Sequence, residues 1–108
     1  MPICVVMSSY VAASRVGGGG AAFVLPPLGV DPILIPTTLM GRHPGWGAPG
    51  GGAVAAEMFA GVLEGVEASG VFALCDAVLT GYFASPDQVE AAASAIDRIK
   101  AADRNFQG

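Results

Sequence analysis

Apolar residues in this chain fall into short blocks separated by Gly, Pro and Ser, and the spacing inside each block sets the element it can form. Ile3 to Met7 is an unbroken apolar run, the pattern of a short strand buried on both faces, and Ser8 and Ser9 mark the turn after it. Gly17 to Gly20 reads as a flexible turn. Ala21 to Leu25 can begin a helix that Pro26 and Pro27 end or kink, so the first crossover helix is short or irregular. Ile33 to Ile35 predicts a second short strand, bounded by Pro32 and Pro36, which lack the amide donor a central strand needs.

From Thr37 to Gly52 the chain is rich in Gly and Pro and holds Arg42, His43 and Trp46, a loop long enough to be functional, with Trp46 as a loop anchor or part of a lid. Ala53 to Ala68 has helix-forming composition. Its Val54, Met58, Val62 and Val66 repeat every four residues, leaving Glu57, Glu64 and Glu67 for solvent. Cys75 to Thr80 predicts a third strand, and Gly81 and Tyr82 turn the chain at the sheet's carboxyl edge. The next helix carries the clearest start signal: Ser85 as cap, Pro86 at the first helical position and Gln88 completing a capping box. Val89, Ala92, Ala93, Ile96 and Ile99 supply its apolar face, and Arg98 and Lys100 suit the negative end of its dipole.

Strands alternating with helices predict an α/β fold, a parallel sheet in a three-layer α/β/α arrangement with right-handed crossovers. Ligands in such sheets bind beyond the carboxyl ends of the strands, here the loops after Met7, Ile35 and Thr80. No internal repeat or charged linker divides the chain.

Composition narrows the class of partner. The 108 residues allow one domain, and with 53% hydrophobic and 13% charged residues many surfaces are expected to meet other protein. Five basic residues against nine acidic ones leave a net charge of -4, which argues against nucleic acid. Pro and Gly break every apolar stretch before it reaches bilayer length, so no membrane span is expected. Cys4 and Cys75 fall inside strand-like runs without metal spacing, as expected of buried thiols in a reducing cytoplasm.

Three segments carry a family resemblance. Ile3 to Gly18, ICVVMSSYVAASRVGG, resembles the opening of the pyridoxal kinases of the ribokinase superfamily, in which an apolar strand is followed by a serine, a variable loop and a glycine. Ser9 falls on the family's substrate serine, whose hydroxyl hydrogen-bonds the pyridine ring. IPTTLMGRHPGW resembles the segment that ends Ser-Asn-His-Thr-Gly-Tyr in the family. It places His43 on the histidine, Thr38 and Met40 on positions lining the vitamin pocket, and Pro44 where many members carry a substrate-contacting threonine. A proline side chain has no group to donate or accept there. The third segment, CDAVLTGYFASPDQVEAAASAIDRIKAA, matches in order and spacing and places Tyr82 on the pocket tyrosine.

The resemblance implies a ribokinase-like fold of which residues 1–108 are an N-terminal, single and incomplete domain. The implied activity is phosphorylation of the 5'-hydroxyl of pyridoxal, or a related B6 vitamer, by ATP with Mg2+ in a cytoplasmic homodimer. The family's Asp-Pro-Val and Gly-Thr-Gly-Asp motifs, which hold Mg-ATP and the catalytic aspartate, do not occur here. Lys100 to Gly108 ends where the family begins its next strand, and no catalytic residue is assigned, so these residues alone are expected to be inactive. Two other readings remain: a hydroxymethylpyrimidine-type kinase of the same superfamily, and a non-catalytic α/β binding or assembly module.

Read without the resemblance, Ser9 also fits a turn serine, and His43 a lone loop histidine without further metal ligands. Ser8 or Ser9 with His43 and Asp76 nominally makes a hydrolase triad, but Asp76 opens a strand and no nucleophile elbow is present. The four glycines lack the lysine and hydroxyl residue of a phosphate loop.

Overall fold

The computed structural model describes residues 1–102; residues 103–108, the end of the stretch expected to lead into a further strand, lie outside them. Its central strand is β1 (Ile3–Val11), flanked in parallel by β2 (Asp31–Met40) and β4 (Cys75–Thr80). A fourth strand, β3 (Gly51–Ala53), pairs antiparallel with the end of β2, giving the order β3-β2-β1-β4. The expected parallel sheet therefore gains an antiparallel edge. It comes from the Gly/Pro segment read as one long loop, whose two ends pair with each other through Thr38 and Ala53, Leu39 and Gly52, and Met40 and Gly51.

Two strands outrun their sequence signals. Ser8 and Ser9 stay in β1 rather than forming a turn, because β2 continues beside them as far as Met40. Pro32 and Pro36 lie inside β2 rather than bounding it. The Asp31 amide donates to the Pro2 carbonyl at 2.8 Å. Since amides alternate sides along a strand, the nitrogens of Pro32 and Pro36 point away from β1. β3 reaches only Thr38 to Met40, so among the described residues that side of β2 has no ladder for the prolines to interrupt.

The expected turn at Gly17 to Gly20 is instead the start of α1 (Gly17–Val24), with Gly18 and Gly19 buried where the helix lies closely on β1 and β2. On the opposite face lie α2 (Ala56–Ala68), the short α3 (Val71–Leu74), which the sequence did not signal, and α4 (Pro86–Ala102). The core forms on this second face, where Val5, Met7 and Ile35 meet Phe59, Leu63 and Ile99.

α2 begins after β3, three residues later than its composition suggested, and is turned from the expected orientation. Phe59 and Leu63 are buried, whereas Met58 is 63% exposed and Val62 also faces out. Both rows repeat every four residues, and the one carrying the aromatic ring wins, since Phe59 packs edge-on against Phe83 at 6.3 Å. Glu67 is not left to solvent but pairs with Arg98 of α4 at 3.1 Å, and the Arg98 guanidinium lies 5.9 Å from the Phe72 ring centre. In α4 the buried row is Gln88, Ala92, Ala95 and Ile99, while Val89 and Ala93 are exposed.

Cys4 and Cys75 are buried thiols, and burial, followed by the nearby Cys75, pushes the Cys4 thiol above its ordinary value. Among the described residues no helix is long and apolar enough to cross a membrane.

Candidate functional site

The carboxyl ends of β1 and β2, the start of α1 and the loop after β4 surround a cavity of about 610 Å³. Ser9, Thr38, Met40, His43, Pro44 and Tyr82 all line it. Among the described residues its wall contains no Asp, Glu, Lys or Arg, so hydrogen-bonding groups on an apolar surface define its chemistry.

A β-bulge shapes the floor. Between Ser8 and Tyr10 of β1 there is one residue, while the matching stretch of β2 holds both Thr37 and Thr38. The Thr37 carbonyl accepts from the Val54 amide at 2.9 Å, and its hydroxyl donates to the Tyr82 carbonyl at 2.7 Å. Thr38 is 5% exposed, and among the described residues its Oγ1 has no hydrogen-bond partner. Leaving such a group unmatched costs about 1–3 kcal/mol.

Gln88 ties the walls together. Its side-chain amide is fully buried, donates to the carbonyls of Thr37 at 3.0 Å and Val54 at 2.7 Å, and accepts from the Ala84 amide at 2.8 Å. Its own backbone amide donates to Ser85 Oγ at 3.2 Å, so the capping role holds on that side only. Sequence reading missed the clamp and also missed Thr37. A signal was present, because a glutamine in step with Ala92, Ala95 and Ile99 sits on a buried face and requires partners there.

Gly81 sets the approach of β4 to β1. Its amide donates to the Met7 carbonyl at 2.9 Å, and a Cβ at this position would overlap Ser8 Oγ. Tyr82 follows at the rim, 59% exposed, with its backbone fixed by Thr37.

In the segment between β2 and β3, His43 Nδ1 accepts from the Gly45 amide at 3.0 Å, which leaves Nε2 as the protonated, donating nitrogen of the neutral ring. Pro44 opens a 3-10 turn, Pro44–Trp46, and Arg42 Nε donates to the Ala48 carbonyl at 2.9 Å. Trp46 is 78% exposed, so among the described residues its ring does not act as a buried loop anchor. Ser9 Oγ makes no hydrogen bond among the described residues. Asp76 Oδ2 accepts from the Ile3 amide at the far end of the sheet, which removes the nominal triad. Among the described residues no group of three His, Cys, Asp or Glu side chains could hold a metal.

No protein-family model matches the chain. It is 32% identical over 97 residues to the pyridoxal kinase PdxY of Paraburkholderia phymatum, covering 90% of this chain and 34% of that protein. To the PdxY of Deinococcus radiodurans it is 35% identical over 96 residues, covering 89% and 32%. The chain thus spans about a third of the length of the curated relatives it matches. Among solved structures it superposes on the pyridoxal kinase of Leishmania donovani, in complex with ADP and pyridoxamine. The TM-score is 0.87 at 29% identity, over 93% of this chain and 35% of that one. A Bacteroides thetaiotaomicron protein assigned as a phosphomethylpyrimidine kinase shares the fold alone, with a TM-score of 0.81 at 17% identity, over 91% of this chain and 33% of that one. In sequence and in fold, the chain corresponds to the N-terminal portion of the pyridoxal kinases, within the ribokinase-like fold.

Proposed function

We propose that this chain is the vitamin-binding part of a pyridoxal kinase, which transfers the γ-phosphoryl group of ATP to the 5'-hydroxyl of pyridoxal. The observation that carries the reading is the convergence of Ser9, Thr38, Met40, His43, Pro44 and Tyr82 on one cavity at the carboxyl edge of the sheet. In it the Ser9 hydroxyl hydrogen-bonds the pyridine ring, the Tyr82 ring packs on its face, Met40 and Pro44 give apolar walls, and His43 offers its Nε2 proton. ATP and Mg2+ belong to the proposed reaction as phosphoryl donor and metal. In the proposed enzyme, a cytoplasmic homodimer, both are held outside this segment.

Titration with pyridoxal tests the reading. Ser9→Ala removes one hydrogen bond, about 0.5–1.5 kcal/mol, and is expected to weaken binding roughly two- to tenfold. Tyr82→Ala removes a ring worth about 1–3 kcal/mol of contact, whereas Tyr82→Phe keeps most of it. Wild-type affinity in well-folded Ser9→Ala and Tyr82→Ala proteins would show that the site is misplaced. Tighter binding of hydroxymethylpyrimidine than of pyridoxal would move the assignment to the pyrimidine kinases.

A further inference from the structure

We propose that Thr37, fully buried behind the cavity, is a positioning residue: its hydroxyl holds the loop after β4 so that the Tyr82 ring stands in place at the rim before a ligand arrives. The inference rests on the pyridoxal reading and assigns the pre-ordering of that site to a side chain from a different strand.

Tyr82 belongs to the loop after β4 and Thr37 to β2, and β1 runs between those two strands. Pairing of β4 with β1 ends at Thr80, opposite Met7, followed by one bond from the Gly81 amide to the Met7 carbonyl at 2.9 Å. Beyond that point the loop comes within reach of β2, and the Thr37 hydroxyl donates to the Tyr82 carbonyl at 2.7 Å. Among the described residues this is the one hydrogen bond that Tyr82 or Phe83 makes.

The donor is itself held firmly. The carbonyl of Thr37 accepts from the Val54 amide at 2.9 Å and from Gln88 Nε2 at 3.0 Å, which fixes the backbone from which the hydroxyl projects. Its branched side chain has few rotamers, and it sits at the bulge, where a strand re-aims its side chains. The acceptor side has no such support. Phe83 is placed by its ring against Phe59, and Ala84 by its amide on Gln88 Oε1, but Tyr82 is 59% exposed and its own hydroxyl makes no hydrogen bond among the described residues. The bond from Thr37 therefore fixes the backbone of the residue that carries the ring. With it, the ring is ordered in advance; without it, a ligand has to order the loop on binding, and affinity falls by that cost.

The test is a double-mutant cycle read by pyridoxal titration. Thr37→Val is expected to weaken binding roughly two- to tenfold, and Thr37→Ser, which keeps the hydroxyl, to restore it. In a Tyr82→Ala background Thr37→Val should cost nothing further, because no ring is left to position. In a Met40→Ala background its cost should be unchanged, since Met40 lies roughly 10 Å further along the strand. Every variant is titrated below its melting range, and Thr37→Ala takes the place of Thr37→Val in the cycle if the valine variant does not fold. A residue that only supports the fold lowers affinity equally in all three backgrounds, and that result overturns the proposal, as does wild-type affinity in Thr37→Val. Both leave the pyridoxal reading intact, whereas failure of the wild type to bind pyridoxal overturns that reading and the proposal with it.

Discussion

Replacing Gln88 by Leu is expected to destabilise the protein by about 3–5 kcal/mol, although leucine fills nearly the same space. The Thr37 carbonyl would keep the Val54 amide as a partner, but the Val54 carbonyl and the Ala84 amide would lose the partner that Gln88 gives them inside the fold. Each orphaned group costs about 1–3 kcal/mol, and a domain of this size has only about 5–15 kcal/mol in total. Urea unfolding of wild type and variant measures the difference. A change below about 1 kcal/mol would mean that the clamp does not hold the cavity walls. Pyridoxal affinity should fall with stability, since Thr37 and Val54 adjoin the wall residues Thr38 and Ala53, and Ala84 is itself on the wall.

Truncating Phe59 to Ala is expected to cost about 3–5 kcal/mol, because it empties a fully buried ring site and removes the edge-on contact with Phe83. Met58→Ala, one position earlier on the same helix, should change stability by less than about 0.5 kcal/mol, as its side chain is mostly in solvent. The pair tests the rotation of α2 directly. Similar losses at both positions would restore the face that the valine and methionine spacing suggested.

How far each element was legible follows from the range of the forces that form it. β4 and the start of α4 were read correctly because an apolar run and a Ser-Pro-x-Gln cap act within a few residues. The length of β2 was not, because Pro32 and Pro36 forbid a strand only where a neighbour needs their amides, and that depends on the reach of β3. β3 is three small residues with no strand pattern of their own, present because Thr38 to Met40 offer an open ladder. The face of α2 was decided by Phe83, twenty-four residues downstream of Phe59. At the site, the six residues reached through the resemblance share one cavity, whereas Gln88 acts on Thr37 and Val54, 51 and 34 positions away, and no local pattern displays such a reach.

The two prolines of β2 also decide how the sheet can grow. Along Asp31 to Thr37 the outer margin of β2 lacks alternate donors, so a strand from another molecule finds a broken template there and zips poorly. β4, at the other margin, runs from Cys75 to Thr80 without a proline and, among the described residues, has no strand on its outer side. Further strands, whichever polypeptide supplies them, are thereby directed to one side of the sheet, and the proline-bearing side is guarded against misassembly.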